Sequence, residues 1–316
     1  MNELEISLIR QLIELSLRED LEPAGDLSSL LTVDEKQAAK AVIIAKEAGI
    51  MSCSLVISEI LEIGEKYIEE RFFKGSVNQS LKLEFFFSDT ESFVKGDTLV
   101  SITGSASLIL ALERTVLNFM QRLLGISTLT RKLTQKLVNK KTKLLDTRKT
   151  SPGMRVLEKM AFKHGSAINH RLNLSDMIML KENHISLSRF KNSLEALKHC
   201  ASEIKKNKLT DLRGETLKVE IEINADNLNL LEPVITENLA DVIMLDNFSV
   251  SELKPLMQRI SKLREGQVKA TLIEVSGGIN PENIDSYLDL EPDFISTSFV
   301  SKNVHSIDLS MLIYKI

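Results

Sequence analysis

The sequence predicts an α/β protein that consists of a βα barrel preceded by a smaller α+β domain. After Lys143, short and nearly continuous apolar segments alternate with helical stretches. Strands of this kind are typical of a parallel sheet that is buried on both faces. Before residue 105, the segments are instead rich in β-branched and aromatic residues and are bounded by turn residues. A length of 316 residues accommodates both domains.

The first domain is predicted to begin with a helix and to continue with strands. Apolar residues at helical spacing, among them Leu8, Leu12 and Leu15, predict a helix over residues 4–18. Lys-Gly-Asp is a turn sequence between two apolar runs, which favours a hairpin or a turn-linked pair of strands over residues 93–105. The other predicted strands are residues 39–51 and 80–89.

A pair of helices is predicted at the junction of the two domains. Apolar residues repeat at helical spacing from Ser105 to Gly125, and a second helix continues through Val138. We therefore place an N-terminal α/β sandwich domain at residues 1–116, with a C-terminal tail of residues 303–316 that returns to it, and the catalytic barrel at residues 117–302.

The barrel strands are predicted from seven apolar segments. They read LLDT, AIN, MIML, VEIEI, VIML, LIEVSG and FISTS. In parallel α/β folds the active site lies at the carboxyl ends of such strands. The polar stretch from 202 to 216 has no apolar period and is predicted to be a surface loop with helix ends. A helix between residues 151 and 165 is predicted to turn Val156, Leu157, Met160 and Ala161 inward.

Positive charge is concentrated in one part of the predicted barrel. Between Asp146 and Lys181 there are seven Lys or Arg residues and three Asp or Glu residues, in a chain whose net charge is −4. Cations that converge in a pocket repel one another, so this excess indicates an anionic ligand. The residues assigned to the site are Arg148, Lys149, Arg171 and Lys181, which lie at or just beyond strand ends. The residues interpreted as a solvated helix face are Arg155, Lys159 and Lys163.

Composition argues against several other classes of protein. The slight negative net charge disfavours broad nucleic-acid binding, which needs a basic surface stripe. The two cysteines, Cys53 and Cys200, are far apart and lack zinc-ligand spacing, which fits a reducing cytoplasm. No apolar run approaches the roughly 18 to 20 residues of a membrane span. We therefore expect a cytoplasmic protein that binds neither membranes nor nucleic acids.

Six motifs occur along the chain in an informative order. They are ERTVLNFMQRLLGIST (113–128), LDTRKTSPG (145–153), NHRLNLSDMIMLKENHI (169–185), VEIE (219–222), VIMLDN (242–247) and EVSGGI (274–279), and REDLEPAGDLSS (18–29) precedes them. Together they resemble the signature segments of the quinolinate phosphoribosyltransferase family, also called nicotinate-nucleotide pyrophosphorylase (carboxylating). The combination of LDTRKTSPG, NHRL and SGGI is specific, whereas ERT or LDN alone is weak.

The resemblance implies an enzyme of NAD biosynthesis. Members of this family transfer the phosphoribosyl group of phosphoribosyl pyrophosphate to quinolinate with decarboxylation, giving nicotinate mononucleotide, diphosphate and CO2. The resemblance also implies an open α/β barrel of fewer than eight strands. It further implies a homodimer, in which the sandwich of one subunit closes the barrel of the other and Arg114 reaches into the partner's site.

The acceptor pocket implied by the resemblance must bind two adjacent carboxylates. Arg binds a carboxylate through two parallel hydrogen bonds, whereas Lys offers only a point charge. Several arginines are therefore expected in this pocket. The residues that the resemblance assigns to quinolinate are Arg148, His170, Arg171 and Lys181, with Lys149 beside them and Arg114 from the partner subunit.

The second substrate requires groups for magnesium and for phosphates. Mg²⁺ prefers oxygen ligands, and Glu222 and Asp246 each end an apolar strand, where they would bind it directly or through water or substrate. Glu220, two residues earlier on the same strand face, is an alternative to Glu222. A glycine turn can bind a 5′-phosphate through backbone N–H groups. The resemblance assigns this phosphate to Ser276, Gly277, Gly278, Thr297 and Ser298, and catalysis to Lys149, Lys181, Glu222 and Asp246.

Three positions depart from the family pattern. Ser298 and Cys53 stand where the family usually has Gly, and Ser166 and Ala167 replace a Gly-Gly pair before Asn-His-Arg. Ser298 matters most, because its side chain either obstructs a phosphate or donates a hydrogen bond to it. Since the charged residues are retained, we expect donation.

Other functions stay open at the level of the sequence. A related phosphoribosyltransferase of the molybdenum-operon type would use another acceptor, although Arg148 and Arg171 suit a dicarboxylate. A barrel aldolase would use Lys181 as a Schiff-base lysine and would leave the arginines unexplained. A catalytically inactive sensor would bind the same ligands, but the retained Glu222 and Asp246 argue against it.

Overall fold

The computed structural model describes residues 1–73, 80–211, 213–267 and 270–316. The chain divides into two compact units. Unit 1 comprises Met1–Arg131, Thr150–Ser166 and Val300–Ile316, and unit 2 comprises Lys132–Lys149 and Ala167–Phe299. The domain boundary at residue 116 stays a prediction. Among the described residues, no helix is both long and apolar enough to cross a membrane.

Helices and strands alternate along much of the described chain. The strands are β1 (Ala38–Ala45), β2 (Gly49–Ile50), β3 (Lys82–Phe85), β4 (Ser92–Phe93), β5 (Thr98–Ser105), β6 (Lys143–Leu145), β7 (Ile178–Leu180), β8 (Val219–Ile223), β9 (Val242–Asp246), β10 (Leu272–Ser276), β11 (Phe294–Ser296) and β12 (Leu309–Lys315). The α-helices are α1 (Glu3–Leu21), α2 (Leu27–Thr32), α3 (Ser54–Ile68), α4 (Ala106–Gln135), α5 (Arg155–His164), α6 (Glu182–Ser186), α7 (Ser193–Asn207), α8 (Leu231–Thr236), α9 (Val250–Arg264), α10 (Ile284–Leu288) and α11 (Phe299–Lys302).

Unit 1 contains an antiparallel sheet with the strand order β12-β1-β5-β3. Residues of β1 alternate between more and less buried positions, as expected when one face of a strand packs on a core. β12 pairs with β1 from Ala39 opposite Lys315 to Ala45 opposite Leu309. The C-terminal residues therefore complete the sheet of unit 1.

Of the two arrangements predicted for residues 93–105, the structure has the turn-linked pair of strands and not the hairpin. β4 pairs with β2, whereas β5 pairs with β1 and β3. Gly96 does adopt a turn conformation, with a φ of 97°, but its N–H donates to the carbonyl oxygen of Ala45. Local residue types predict the turn. They do not predict that β5 pairs with β1, because β1 lies about fifty positions earlier in the chain.

The first helix buries a different stripe from the predicted one. α1 begins at Glu3, where the side chains of Asn2 and Glu5 form a capping box. Leu8 and Leu15 of the predicted stripe are 40% and 60% exposed. The buried residues of α1 are Ile9, Ile13, Leu17 and Leu21. Both stripes are apolar, so the helical spacing of apolar residues predicts the helix but does not decide which of its faces is buried within one chain.

α4 is one continuous helix of 30 residues instead of the predicted pair. Gly125, which the sequence suggests as a helix end, lies inside it. A Cβ atom at this position would overlap the carbonyl oxygen of His305, so glycine allows two segments of unit 1 to pack closely. Glycine inside a helix costs about 1 kcal/mol relative to alanine. The close packing offsets that cost.

α5 belongs to unit 1 and is more buried than expected. Lys159 is only 3% exposed, so its interpretation as a solvated residue is wrong, whereas Lys163 is exposed. Of the four residues predicted to face inward, Met160 is half-buried and the other three are buried, namely Val156, Leu157 and Ala161.

α7 supplies one helix end of the stretch 202–216, which is predicted as a surface loop with helix ends. The helix continues to Asn207 and ends at Lys208, which has a left-handed φ of 47°. Polar residues dominate this last turn, which explains why periodicity alone predicts no helix there. Leu212, inside the same predicted loop, lies outside the described residues.

Unit 2 is built on a six-stranded parallel sheet with the order β6-β11-β10-β9-β8-β7. β6 and β7 form its two edges, and Ile168 adds an isolated parallel bridge to Leu145 beside β6. The segment AIN, predicted as a full strand, is therefore reduced to this bridge. The parallel sheet with its helices, together with the antiparallel sheet of unit 1, confirms the predicted fold class.

Candidate active site

The barrel strands separate apolar from polar residues between their two faces. Residues that pair across neighbouring parallel strands project to the same face, and successive residues alternate. The register aligns Glu222 of β8 with Met244 of β9, and Met244 with Glu274 of β10. The intervening positions of these strands are buried and apolar, and they include Ile221, Ile243, Leu245, Ile273 and Val275. One face of the sheet therefore collects the ionisable groups.

The segment that carries His170 is fixed beside the end of β6. The Ile168 N–H donates to the carbonyl oxygen of Leu144 at 3.0 Å. Asp146 follows β6 directly, is 4% exposed, and accepts the His170 N–H at 2.8 Å through Oδ1. Asp146 thus holds the backbone from which His170 and Arg171 project.

His170 meets two buried glutamates from different strands. Its Nε2 lies 3.0 Å from Oε2 of Glu220 and 3.3 Å from Oε2 of Glu274, and both glutamate side chains are at most 1% exposed. On its other side, Nδ1 accepts the backbone N–H of Arg171 at 2.7 Å. The ring is therefore held on both sides by groups of unit 2.

The protonation of this group follows from its burial and its contacts. Burial and the charge of Glu274 raise the pKa of Glu220 from 4.5 to about 7. Burial alone would lower the pKa of His170, but Glu220 and Glu274 raise it from 6.5 to about 10. Both directions mean that His170 and Glu220 hold protons more tightly than in water. A hydrogen bond accepted by Nδ1 requires that nitrogen to be unprotonated, so the geometry opposes the second ring proton that the raised pKa of His170 implies, and the ring proton lies on Nε2.

Two arginines lie close enough to influence each other, and neither forms an ion pair among the residues that the structure describes. Burial and the charge of Arg148 lower the pKa of Arg171. The guanidinium of Arg171 donates to the carbonyl oxygen of Met177 and to Sδ of Met179, both at 3.2 Å. Nε of Arg148 is buried and makes no hydrogen bond within the described residues. Two guanidiniums with unused donors form a site for an anion.

Lys181 and Glu222 form an ion pair at the ends of neighbouring strands. Lys181 directly follows β7 and is 40% exposed, whereas Glu222 is 7% exposed. The Lys181 side chain is engaged by this carboxylate, which does not favour the Schiff-base alternative. Lys149, on the loop after β6, is exposed.

The ends of β9 and β10 lie next to each other and carry polar groups. Asp246 pairs in register with Ser276, and Oδ2 of Asp246 accepts from Nδ2 of Asn247 at 2.7 Å. Gly277 has a φ of 102°, and a Cβ there would overlap Asn247, so only glycine fits. Gly278 has a φ of 62° and open space around its missing side chain. This leaves backbone near Gly278 accessible to a ligand.

The loop after β11 supports the glycine turn. Oγ1 of Thr297 donates to the carbonyl oxygen of Ile279 at 2.6 Å and accepts the Phe299 N–H at 3.0 Å. The hydroxyl of Thr297 is therefore committed to the loop, whereas Ser298 is half-exposed. Oγ of Ser296 is buried without a partner among the described residues.

Unit 2 contains every sequence-predicted site residue except Arg114. Arg114 lies on α4 in unit 1 and is exposed. The sequence did not single out Asp146 or Glu274 as site residues, and it favoured Glu222 over Glu220. A signal for Glu274 was present, because a charged residue in the middle of the apolar strand LIEVS is expensive to bury unless it has a specific role.

Comparison with known proteins shows the family. Residues 126–312 match the family model described as the quinolinate phosphoribosyl transferase C-terminal domain, and residues 26–124 match the model of its N-terminal domain. The chain belongs to this family. A Bacillus subtilis member, named as a probable nicotinate-nucleotide pyrophosphorylase (carboxylating), is 33% identical over 91% of this chain and 87% of its own length. An Archaeoglobus fulgidus protein of the same name is 32% identical over 92% of this chain and 98% of its own.

Solved structures of the quinolinate phosphoribosyl transferase family have the same fold. The nicotinate-nucleotide pyrophosphorylase of Francisella tularensis aligns with a TM-score of 0.77 at 29% identity, over 98% of this chain and 96% of that one. NadC of Streptococcus pyogenes aligns with a TM-score of 0.79 at 28% identity, over 98% and 97% of the two chains. The recognised motifs and the fold thus agree across both units.

Proposed function

We propose that this chain transfers the phosphoribosyl group of phosphoribosyl pyrophosphate to quinolinate and decarboxylates the product, as the enzyme of NAD biosynthesis that yields nicotinate mononucleotide. One structural observation supports this proposal in addition to family membership. Arg148 and Arg171 lie together with unused donors, which suits an acceptor that carries two carboxylates. The relatives from Bacillus subtilis and Archaeoglobus fulgidus are named for this carboxylating reaction.

Quinolinate is proposed to bind between the two arginines. Each guanidinium would bind one carboxylate through two parallel hydrogen bonds. The bound dianion would also relieve the repulsion between the two guanidiniums, which favours its binding. Lys149 and Lys181 would add positive charge beside the ring. Since Lys181 is oriented by Glu222, its ammonium is held at the end of β7. Binding by the two arginines and the two lysines would orient the pyridine nitrogen for attack on C1 of the ribose.

Phosphoribosyl pyrophosphate is proposed to bind along the ends of β9, β10 and β11. The turn at Ser276, Gly277 and Gly278 offers accessible backbone for the 5′-phosphate, and the exposed side of Ser298 offers a hydroxyl donor. Thr297 would act by supporting this loop, because its hydroxyl already bonds within the loop.

Magnesium is proposed to bind at Asp246 and Glu222. Asp246 is a half-buried carboxylate at a strand end, the type of hard oxygen ligand that Mg²⁺ takes in small numbers. Glu222 is paired with Lys181, which fits binding through water or substrate better than direct ligation. When bound, the ion would neutralise charge on the departing diphosphate.

The proposed reaction has two steps. The nitrogen of quinolinate forms a bond to C1 of the ribose while the bond from C1 to the diphosphate oxygen breaks. The carboxylate next to the nitrogen then leaves as CO2, and the electron pair left on the ring carbon takes up a proton. The cationic ring nitrogen stabilises that electron pair, so the chain needs only to orient the groups and balance their charges.

A homodimer with shared sites is also proposed. α1 exposes a stripe with Leu4 at 44%, Leu8 at 40% and Leu15 at 60%, which supports contact with another protein surface. Arg114 is exposed and polar, and its proposed role is to complete the quinolinate pocket of the partner subunit. Mixing inactive Arg114→Ala and Lys181→Ala subunits should restore activity at one site of each mixed dimer. No recovery despite subunit exchange would reject the shared site.

Purified protein tests the proposed activity directly. Incubated with quinolinate, phosphoribosyl pyrophosphate and Mg²⁺, it should release CO2 and nicotinate mononucleotide in equal amounts. Nicotinate in place of quinolinate controls for the need for two carboxylates. Binding of both substrates without product would indicate a sensor, and turnover with only a different acceptor would indicate a related phosphoribosyltransferase.

A further inference from the structure

Both ring nitrogens of His170 are engaged by the protein. Nδ1 accepts the Arg171 N–H at 2.7 Å, and Nε2 lies 3.0 Å and 3.3 Å from oxygens of Glu220 and Glu274. The side chain is only 9% exposed. A ring held in this way has no nitrogen left to donate to a substrate carboxylate. The pocket-lining role expected for His170 therefore needs a different explanation.

The same three residues have the composition of a metal site, but their hydrogen bonds oppose one. Ligand atoms of His170, Glu220 and Glu274 all lie within 4.8 Å of one another. A metal on Nε2 would force the imidazole proton onto Nδ1. That proton would then face the Arg171 N–H, two donors at 2.7 Å. The contacts instead fix the tautomer in which Nε2 carries the proton.

We propose that Glu220 and Glu274 are positioning residues, which orient His170 so that it holds Arg171 in place for a substrate carboxylate. The proposal rests on the function proposed above and assigns work to residues that do not contact the substrate. The carboxylates of the two glutamates lie against Nε2, the ring accepts from the backbone of Arg171, and Arg171 presents its guanidinium to the anion. His170 itself makes no bond to quinolinate.

The geometry explains why two acceptors are used. A single acceptor would allow the ring to turn about its χ2 angle, whereas acceptors from β8 and β10 approach Nε2 from two strands of a rigid sheet. Asp146 fixes the other end of the same residue through the His170 N–H. Partners behind a binding residue commonly set its orientation in this manner, and their loss is felt in affinity.

Paired substitutions at Glu274 separate positioning from charge. Glu274→Gln keeps an acceptor oxygen and should leave the quinolinate KM within about threefold of wild type, whereas Glu274→Met keeps the size but removes the acceptor. Glu274→Met should raise the quinolinate KM about tenfold, as expected for the loss of one buried polar contact. The KM for phosphoribosyl pyrophosphate should change less than about twofold in both. Glu59→Met, at a buried glutamate of unit 1, is the matched control and should change neither KM.

A double-mutant cycle with His170→Asn tests whether the glutamate acts through the ring. The Asn oxygen can take the place of Nδ1 as acceptor for Arg171, but nothing then reaches the glutamates. In this background Glu274→Met should have no further effect on the quinolinate KM. Additive effects would overturn the proposal, and so would equal losses in the Gln and Met variants or equal changes for both substrates.

A ¹⁵N measurement of the histidine tautomer keeps the proposal testable if Glu274→Met fails to fold. The chain has five histidines, so His170→Asn identifies the His170 signal. Wild-type protein should show a protonated Nε2 and an unprotonated Nδ1, and the reverse tautomer would overturn the proposal. The wild-type product assay separately decides the proposed function, because the tautomer and the KM ratios between variants do not depend on product identity.

Discussion

The two compact units bury carboxylates in opposite ways. In unit 1, Glu158 is 1% exposed and its Oε1 lies 2.6 Å from a guanidinium nitrogen of Arg122. In unit 2, Glu220 and Glu274 are equally buried but meet only a histidine, and their oxygens make no well-aligned hydrogen bond within the described residues. Arg148 and Arg171 of the same unit form no ion pair in the described part of the chain.

This difference separates a structural use of charge from a functional one. Breaking a buried ion pair lowers stability because the remaining partner is left uncompensated. Charges of one sign that remain grouped away from their opposites store an unfavourable interaction, which a ligand of the right charge can relieve. The comparison therefore predicts that breaking the Arg122–Glu158 pair of unit 1 alters stability, whereas substituting the grouped arginines of unit 2 alters binding.

The largest effect is expected from Glu158→Gln in unit 1. It leaves Arg122 without its carboxylate, and because Arg122 is 26% exposed we expect about 3 kcal/mol of lost unfolding free energy, the low end for a broken buried pair. Chemical denaturation measures the loss. The quinolinate KM of the folded protein should stay within about twofold. A change in KM with unchanged stability would break the comparison.

Arg148→Lys in unit 2 should show the reverse pattern. The charge is kept but the fork is lost, so kcat/KM for quinolinate should fall by the equivalent of about 1.5 to 3 kcal/mol. The unfolding free energy should hardly change, because Nε of Arg148 has no partner within the described residues. Arg259→Lys, at an exposed ion pair of unit 2, serves as the control. If a folded Arg148→Lys variant kept the wild-type kcat/KM, the assignment of Arg148 to the quinolinate site would be contradicted.

Asp246→Asn sharpens the comparison within unit 2. If Asp246 serves magnesium and the ribosyl donor, the KM for phosphoribosyl pyrophosphate and the Mg²⁺ requirement should each rise about tenfold, which is roughly 1.4 kcal/mol. The quinolinate KM should change little. Steady-state kinetics over a Mg²⁺ series measure both. Equal increases in the KM values for quinolinate and phosphoribosyl pyrophosphate would show that Asp246 does not act on the ribosyl donor alone.

The smallest effect is expected in the pH dependence of stability. The pKa of Glu220 is raised from 4.5 to about 7, so the folded state keeps a proton that the unfolded state releases. Its contribution is full below pH 4.5 and is lost as the pH rises through 7. Glu220→Gln should flatten this decline in denaturation at several pH values, and Glu59→Gln should not. An unchanged slope in Glu220→Gln would contradict the assignment.

Sequence patterns predicted the barrel strands better than their surroundings. Six of the seven apolar segments are strands, because a strand buried on both faces needs a continuous apolar run wherever it lies. The pairing of β4 was left open between two arrangements and the course of α4 was predicted wrongly, since both depend on distant residues. Gly125 illustrates this, because His305 determines why it is glycine.

The residues of the candidate site likewise fall into those that the sequence predicted and those that it did not. Charged residues at strand ends, such as Arg148 and Lys181, were identifiable because strand ends are where function is expected. Glu274 and Asp146 were not, because their importance lies in what they contact: His170 in one case and its backbone in the other. Ser166 has a φ of 71°, which explains why the family usually has glycine there and shows that this chain tolerates serine.

The pairing of β12 with β1 has a consequence for biosynthesis. The two strands pair along seven residues, yet more than 260 residues separate them in the chain. During translation, β1 emerges early and keeps an open edge until residues 309–315 have left the ribosome. An open strand edge invites association with other chains. A nascent chain stalled within the barrel would therefore expose the sheet of the unit that began first, and a premature stop after residue 308 would damage that unit rather than the barrel.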